Sequence, residues 1–388
     1  MSDKEHTPLA QELTAQVQLG LMGTVGKLSR QLRAIDRIAP RLKEGGLVRK
    51  ITVNRDQKRL SVGVAEASRT VQAFGGVLYS VAAVAHELFT AGSDMSHIGQ
   101  TSRMDVGDMS LLEYEKRVDW KTFLAVSELL EEIFEKETLP DILLLDAPLV
   151  LGRRNFAQVL DEANEQSLDL HLRDEMEQLR QKMEGFWDRH RSRCFPYAAT
   201  GPKIVSLHRG RLREPITALQ GRGAMITPDR IEPELLGMMR SEWTQVLSVG
   251  VERLLLGILT ADHRTAAFQR EQSRDKYAFP KILIEGGTLT FHYLTGMRGQ
   301  PVHVETIGSA QDWEERGGSA ALDALAGDLM ALTYFDHKKS LPLPLWHAQN
   351  AVEVVKRKGI LEFYKRETLR AMQEEQVDQA WLAGWENE

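Results

Sequence analysis

Apolar and polar positions change their period several times along this chain, and each change marks an element. Over residues 8–44, Leu13, Val17, Leu21, Val25 and Leu28 recur near helical spacing, with few breakers before Pro40 and Gly45-Gly46. This predicts a long amphipathic helix. Residues 47–92 switch to strand-like runs, "LVRKITVN", "RLSVGVAE" and "GGVLYSVAAVAHELF", parted by short polar or glycine-bearing breaks. The second and third read as antiparallel neighbours. A helix is expected from about Met109 to Glu137, followed by "DILLLDAPL" at 141–149. Its unbroken Ile-Leu-Leu-Leu run predicts a strand covered on both faces, hence central and parallel to a neighbour.

Beyond that strand, residues 151–195 are charged and helical in pattern, and read as an arm or insertion rather than core. "KIVSLH" (203–208) returns to strand, and 230–260 reads as mostly helix. "KILIEGG" and "LTFHYLTG" suggest a hairpin around Gly286-Gly287, and "PVHVETIG" (301–308) a further strand. Helices at about 319–335 and 345–375 close the chain. A strand meander, a helix, a buried strand and then mixed elements predict an α/β fold with a mixed sheet flanked by helices. Residues 1–46 would be a helical N-terminal extension, and 47–388 the main domain with its helical insertion.

Composition narrows the chemistry. No apolar run approaches the ~20 residues that span a bilayer, and the start "MSDKEHTPLAQEL" lacks the pattern of a signal peptide. No membrane association and a cytoplasmic location are therefore expected. The single cysteine, Cys194, excludes an intrachain disulfide framework and a Cys-rich zinc site. The net charge of −6 does not advertise nucleic-acid binding, yet a local basic surface can act inside an acidic whole. Two basic clusters qualify, "DRHRSR" (188–193) and "HRGRLR" (208–213), the latter offering His208, Arg209, Arg211 and Arg213. A solvated face is the competing reading of each. GxSxG, P-loop and HExxH motifs are absent, and the 11 histidines are scattered without ligand spacing.

Two apolar strands each run into a carboxylate followed by a small residue, Glu66 before Ala67-Ser68 and Asp146 before Ala147-Pro148. If the strands are neighbours, these acids meet at one sheet edge. Close carboxylates raise each other's pKa unless a cation lies between them, and a hard ion such as Mn²⁺ or Mg²⁺ takes oxygen ligands of this kind. Strand-end caps facing water are the alternative. A third acid would come from the intervening helix. At about 100° per residue, Phe123, Val126, Leu130, Ile133 and Phe134 share a face from which Glu128 points away. Extended backwards, that face takes in Glu115 and Asp119, one turn apart. Glu115 is favoured, with Asp119 as a helix N-cap if the helix breaks there and Glu128 if the helix runs antiparallel to the Ile-Leu-Leu-Leu strand.

At "VGVAEASR" and "LLLDAPL" the chain resembles the NurA nuclease family. Further similarity lies in "LTFHYLTGMRGQPVHVE" (289–305) and "LPLPLWHAQNAV" (341–352), so that it spans roughly residues 50–360. The resemblance implies a ribonuclease-H-like core and a Mn²⁺-dependent nuclease that acts on DNA ends as a dimer stacked on a hexameric HerA-type ATPase. It implies Glu66 and Asp146 as metal ligands, with the helix acid, Glu115, completing the site. The sequence departs from the family pattern at Glu66, where aspartate is usual, and at Ala67 and Ala147, which stand for glycines. Gln349 occupies the position of the family histidine, and His347 lies about 160° around the helix from it. The expected function is a divalent-metal-dependent DNA nuclease subunit serving DNA repair or antiphage defence. Two alternatives stay open: a weakened NurA-like DNA clamp or adaptor for the ATPase ring, and an unrelated α/β protein.

Overall fold

The computed structural model describes residues 8–53, 56–73, 75–91, 94–111, 114–152, 170–207, 226–232, 251–270, 278–294, 301–336 and 339–375. The N-terminal helix α1 spans Pro8–Glu44, matching the expected amphipathic period. Its second half buries Ile35, Ile38 and Leu42 against Leu254, Leu255, Ile258 and Leu259, which lie on and just beyond α4 (Val251–Ile258). Its first half leaves Leu13, Val17, Leu21 and Val25 exposed.

Strands β1 (Val48–Lys50), β2 (Arg59–Ala73), β3 (Gly76–Ala91), β4 (Asp94–Met109), β5 (Ile142–Leu145) and β6 (Lys203–Ser206) join β7 (His263–Thr265), β8 (Phe268–Gln269), β9 (Thr288–Leu294) and β10 (Pro301–Ile307) in one mixed sheet. Its order is β1-β7-β9-β10-β6-β5-β2-β3-β4, with β8 paired to β9. The Ile-Leu-Leu-Leu strand is β5, buried at every position and parallel to both β2 and β6. β2 and β3 are antiparallel neighbours along their whole length. The hairpin pair β11 (Thr333–Asp336) and β12 (Lys339–Pro342) stands apart.

Alternate residues of the central strands face two helical layers, as the pleat requires. Val62, Val64, Leu143 and Leu145 pack with Val126, Leu130 and Phe134 of α2 (Tyr114–Glu135). Ala65, Ala67, Ile142 and Leu144 pack with Leu325 and Leu329 of α7 (Ser319–Ala331) and Leu345, Ala348 and Val352 of α8 (Leu343–Lys356). This three-layer packing around a mixed sheet is the α/β architecture the sequence predicts.

Several boundaries differ from expectation, each for a physical reason. β2 does not end at Glu66 but runs seven residues further, because β3 supplies a full-length antiparallel partner while β5 stops pairing at Val64. β4 escapes hydrophobic patterning because it is mostly exposed along its length. Met109 closes β4, so α2 starts at Tyr114. "KILIEG" is the short helix α5 (Lys281–Gly286), entered from Pro280 and ended by Gly287 at φ 78°; a brief apolar run fits helix or strand equally well. Of the segment 151–195 read as an arm, residues 153–169 lie outside the described ones, and the rest includes α3 (Leu170–His190), which buries Leu179, Phe186 and Trp187. Phe186 and Trp187 pack with residues of α2 and with Leu283 of α5. After α6 (Ala310–Glu315) and α7, the last expected helix divides at the extended Arg357 into α8 and α9 (Lys358–Glu374).

Candidate active site

The parallel register between β2 and β5 fixes the two acids first. Val64 pairs with Leu145, and the amide of Asp146 donates to the Val64 carbonyl at 2.9 Å. Asp146 therefore leaves the sheet where β5 gives out, next to the stretch of β2 that carries Glu66. On the other side, the Leu207 amide donates to the Leu145 carbonyl at 2.8 Å, and the buried Ser206 hydroxyl donates to the Ala147 carbonyl at 2.7 Å. The turn after Asp146 is thus held by β6. Asp262 is the non-glycine residue with positive φ among the described residues. Ala67 and Ala147 therefore sit in conformations that a glycine is not needed to supply.

Glu66 is the most perturbed carboxyl of the site. Burial, then the Asp146 and Asp119 carboxylates, push its pKa up to about 8 against the opposing charge of Lys356. One of its oxygens, Oε2, is buried without a hydrogen-bond partner. An orphaned carboxylate oxygen beside a second acid is the arrangement that a divalent cation would satisfy, and an all-oxygen donor set suits Mn²⁺ or Mg²⁺. Asp146 is half-buried and accepts a 2.5 Å hydrogen bond from Gln349 Nε2 of α8.

The position of α8 follows from one glycine. A Cβ at Gly63 would lie 2.2 Å from the Pro344 carbonyl carbon, so its absence lets the first turn of α8 rest directly on β2. At the far end, Arg69 Nη1 donates to the Lys356 carbonyl. The helix lies along β2 from Gly63 to Arg69, which brings Gln349 to Asp146.

Of the helix acids, Asp119 interacts electrostatically with Glu66. Partial desolvation of its carboxyl, and then Glu115 one turn earlier, raise its pKa, although the residue keeps an exposed surface. Both Glu115 and Asp119 are exposed rather than set into the apolar face, and α2 runs unbroken through Asp119, which rules out the N-cap. Glu128 is half-buried, about two and a half turns further on. Among the described residues, no three of these carboxylates bring their oxygens within 4.8 Å of one another.

His208, Arg209, Arg211 and Arg213 lie outside the described residues. The other basic cluster is engaged within the fold. Arg189 pairs with Glu131, His190 Nε2 lies 3.1 Å from the same carboxylate, and Arg193 donates to the Phe134 carbonyl at 3.4 Å. Cys194 is buried, with its thiol pushed up to about 12, which removes it as a nucleophile. Sequence spacing missed one group altogether. His86, His97 and His347 place their ring nitrogens within 4.8 Å of one another. They come from three elements, so linear spacing carried no signal.

No protein-family model matches the chain, and no curated protein is detectably similar to it. Solved structures do resemble it. The NurA nuclease from Sulfolobus solfataricus superposes with a TM-score of 0.55 at 11% identity, covering 95% of this chain and 98% of that one. A second NurA structure, and one of NurA bound to dAMP and manganese, give TM-scores of 0.42 and 0.41. Their identities are 11% and 12%; they cover 95% and 96% of this chain, and 97% and 98% of their own length is matched. The first superposition shows that this chain has the NurA fold, a ribonuclease-H-like sheet flanked by helices. Among the described residues, no helix is long and apolar enough to cross a membrane.

Proposed function

We propose that this protein is a divalent-metal-dependent DNA nuclease subunit that processes DNA ends together with a hexameric HerA-type ATPase, in DNA repair or antiphage defence. The observation that carries the reading is the buried, unpartnered Oε2 of Glu66 beside Asp146, on the central strands of a NurA fold. Glu66 and Asp146 would hold Mn²⁺ or Mg²⁺. Asp119 replaces Glu115 as the helix acid of choice, because it interacts with Glu66 while Glu115 acts on Asp119. When bound, such an ion supplies Lewis-acid chemistry, a more acidic water and a stabilised leaving oxygen. The chain's own part is to fix the donors: β5 sets Asp146, β2 sets Glu66, and Gln349 orients one oxygen of Asp146. A glutamine cannot exchange a proton at this position as an imidazole would. The exposed stripe Leu13, Val17, Leu21 and Val25 on α1 is the proposed face for the ATPase, and a homodimer is the proposed working unit.

The Gln349–Asp146 bond also favours a second reading, a weakened clamp or adaptor on the ATPase ring, because an amide donor already occupies one oxygen of the expected ligand. Incubation with linear and single-stranded DNA plus Mn²⁺, with and without the ATPase, separates the two. Cleavage lost in both Glu66→Ala and Asp146→Ala supports the nuclease. DNA or ATPase binding with no cleavage under any condition supports the clamp. Binding of neither sinks both. Retained ATPase binding after deletion of residues 1–44 would remove α1 as the docking face.

A further inference from the structure

The three histidines missed by spacing form a group unlike the acid centre. His86 lies on β3, His97 on β4 and His347 in the second turn of α8. His86 Nε2 and His97 Nδ1 are 2.7 Å apart, and the ring centroids stand 4.9 Å (86–97), 4.8 Å (86–347) and 4.7 Å (97–347) from one another. Three imidazoles from three elements thus converge on one point. His97 is exposed and the other two are half-buried, so the point is open to solvent.

The sheet is built to make this convergence. In the β3–β4 ladder Glu87 pairs with Gly99, but Leu88 pairs with His97, so Ile98 is an extra residue on β4. Side chains alternate faces along a strand, so an unbulged ladder would turn His97 away from His86. The bulge turns it onto the face that His86 shares with Leu88. Re-aiming a side chain is a recognised use of such bulges. The cross-strand partner of His86 is Gly63, the residue on which the first turn of α8 rests. The same close contact therefore delivers His347 over His86.

We propose that His86, His97 and His347 form a second metal site that takes one imidazole-seeking transition ion, Zn²⁺ by preference, and leaves a coordination position open to water. Imidazole nitrogens suit Zn²⁺, whereas the carboxylate centre suits Mn²⁺ or Mg²⁺. Tetrahedral ligation at about 2.0–2.1 Å sets nitrogens roughly 3.3 Å apart, a spacing reached by small ring rotations from the present geometry. The site is separate from Glu66. Gly63, opposite His86, precedes Glu66 by about 10 Å along β2, and the pleat puts Glu66 on the opposite face of the sheet. A bound ion would tie β3 and the edge strand β4 to α8, the helix that carries Gln349.

The test uses the full chain stripped with chelator and then dialysed, titrated with Zn²⁺ and, as a spectroscopic probe, Co²⁺, both in excess Mg²⁺ to occupy the carboxylates. The expected result is one ion per chain, with the visible absorption of four-coordinate Co²⁺. His97→Ala, at an exposed position that folding tolerates, should weaken binding by about 100-fold or more. His347→Ala should do the same, and Glu66→Gln with Asp146→Asn should bind like the parent. No stoichiometric binding, or binding unchanged in His97→Ala with its circular dichroism intact, would overturn the site. The histidines would then be a hydrogen-bonded ring cluster alone.

Discussion

The raised pKa of Glu66 predicts how the metal-free protein responds to pH. Its carboxyl sits at about 8 in the folded chain against an ordinary 4.5. Between those values the folded state holds a proton that the unfolded state has lost, so stability falls as pH rises, with a slope of ~1.4 kcal/mol per pH unit. The stabilising share is fully present below about 4.5 and gone above about 8. Glu66→Gln removes the titration and keeps the shape. Subtracting the variant from the parent also cancels the histidines, of which His86 is pushed the other way, to about 4, by burial and its two neighbouring rings. From pH 6.5 to 8.5 the subtracted stability should fall by at most ~2 kcal/mol, and by ~1–2 kcal/mol once solvent screening at a half-buried group is allowed for. Urea unfolding followed by tryptophan fluorescence, in chelator, measures it. Mn²⁺ at a hundred times its Kd should then restore about 2.7 kcal/mol to the parent, and much less to Glu66→Gln. A subtracted stability that is flat or rises with pH would refute the reasoning, because Glu66 would then be an ordinary solvated acid.

Gly63→Ala should lift α8 from the sheet, since its Cβ would meet the Pro344 carbonyl carbon at 2.2 Å; a loss of about 3 kcal/mol is expected, and an unchanged melting temperature would refute the close packing. Arg264 is fully buried and bonds Asp229 through both terminal nitrogens, at 2.8 and 2.9 Å, so Asp229→Ala should cost about 3–5 kcal/mol in urea unfolding by leaving that guanidinium short of its main partner. Gln349→Ala should weaken Mn²⁺ binding by about tenfold in calorimetry if the amide orients Asp146. Tighter binding would instead mark the amide as a competitor for that oxygen and favour the clamp.

What could be read from the sequence divides along a physical line. β5 was legible because burial on both faces leaves a continuous apolar run, and α1 because a long helix repeats its stripe many times. β4 was not, because an exposed edge strand has no apolar face to alternate. "KILIEG" suggests a strand and forms a helix, because six residues are too few to separate the two periods. The candidate site divides in the same way. Glu66 and Asp146 could be found together because each follows an apolar run, and parallel pairing at Val64 and Leu145 makes neighbours of them. The order of helix acids could not be settled in advance. Choosing Asp119 over Glu115 depends on where α2 begins, which is fixed by the unpatterned end of β4 at Met109. The histidines lie furthest beyond sequence reading. Their convergence needs an extra residue in β4, a glycine in β2 and a helix resting on that glycine, and each has meaning only once the sheet is paired. Sites assembled on the register of a sheet are therefore the ones a linear reading misses. In this chain the same residue, Gly63, seats the helix that serves both candidate centres: Gln349 at the carboxylates and His347 at the imidazoles.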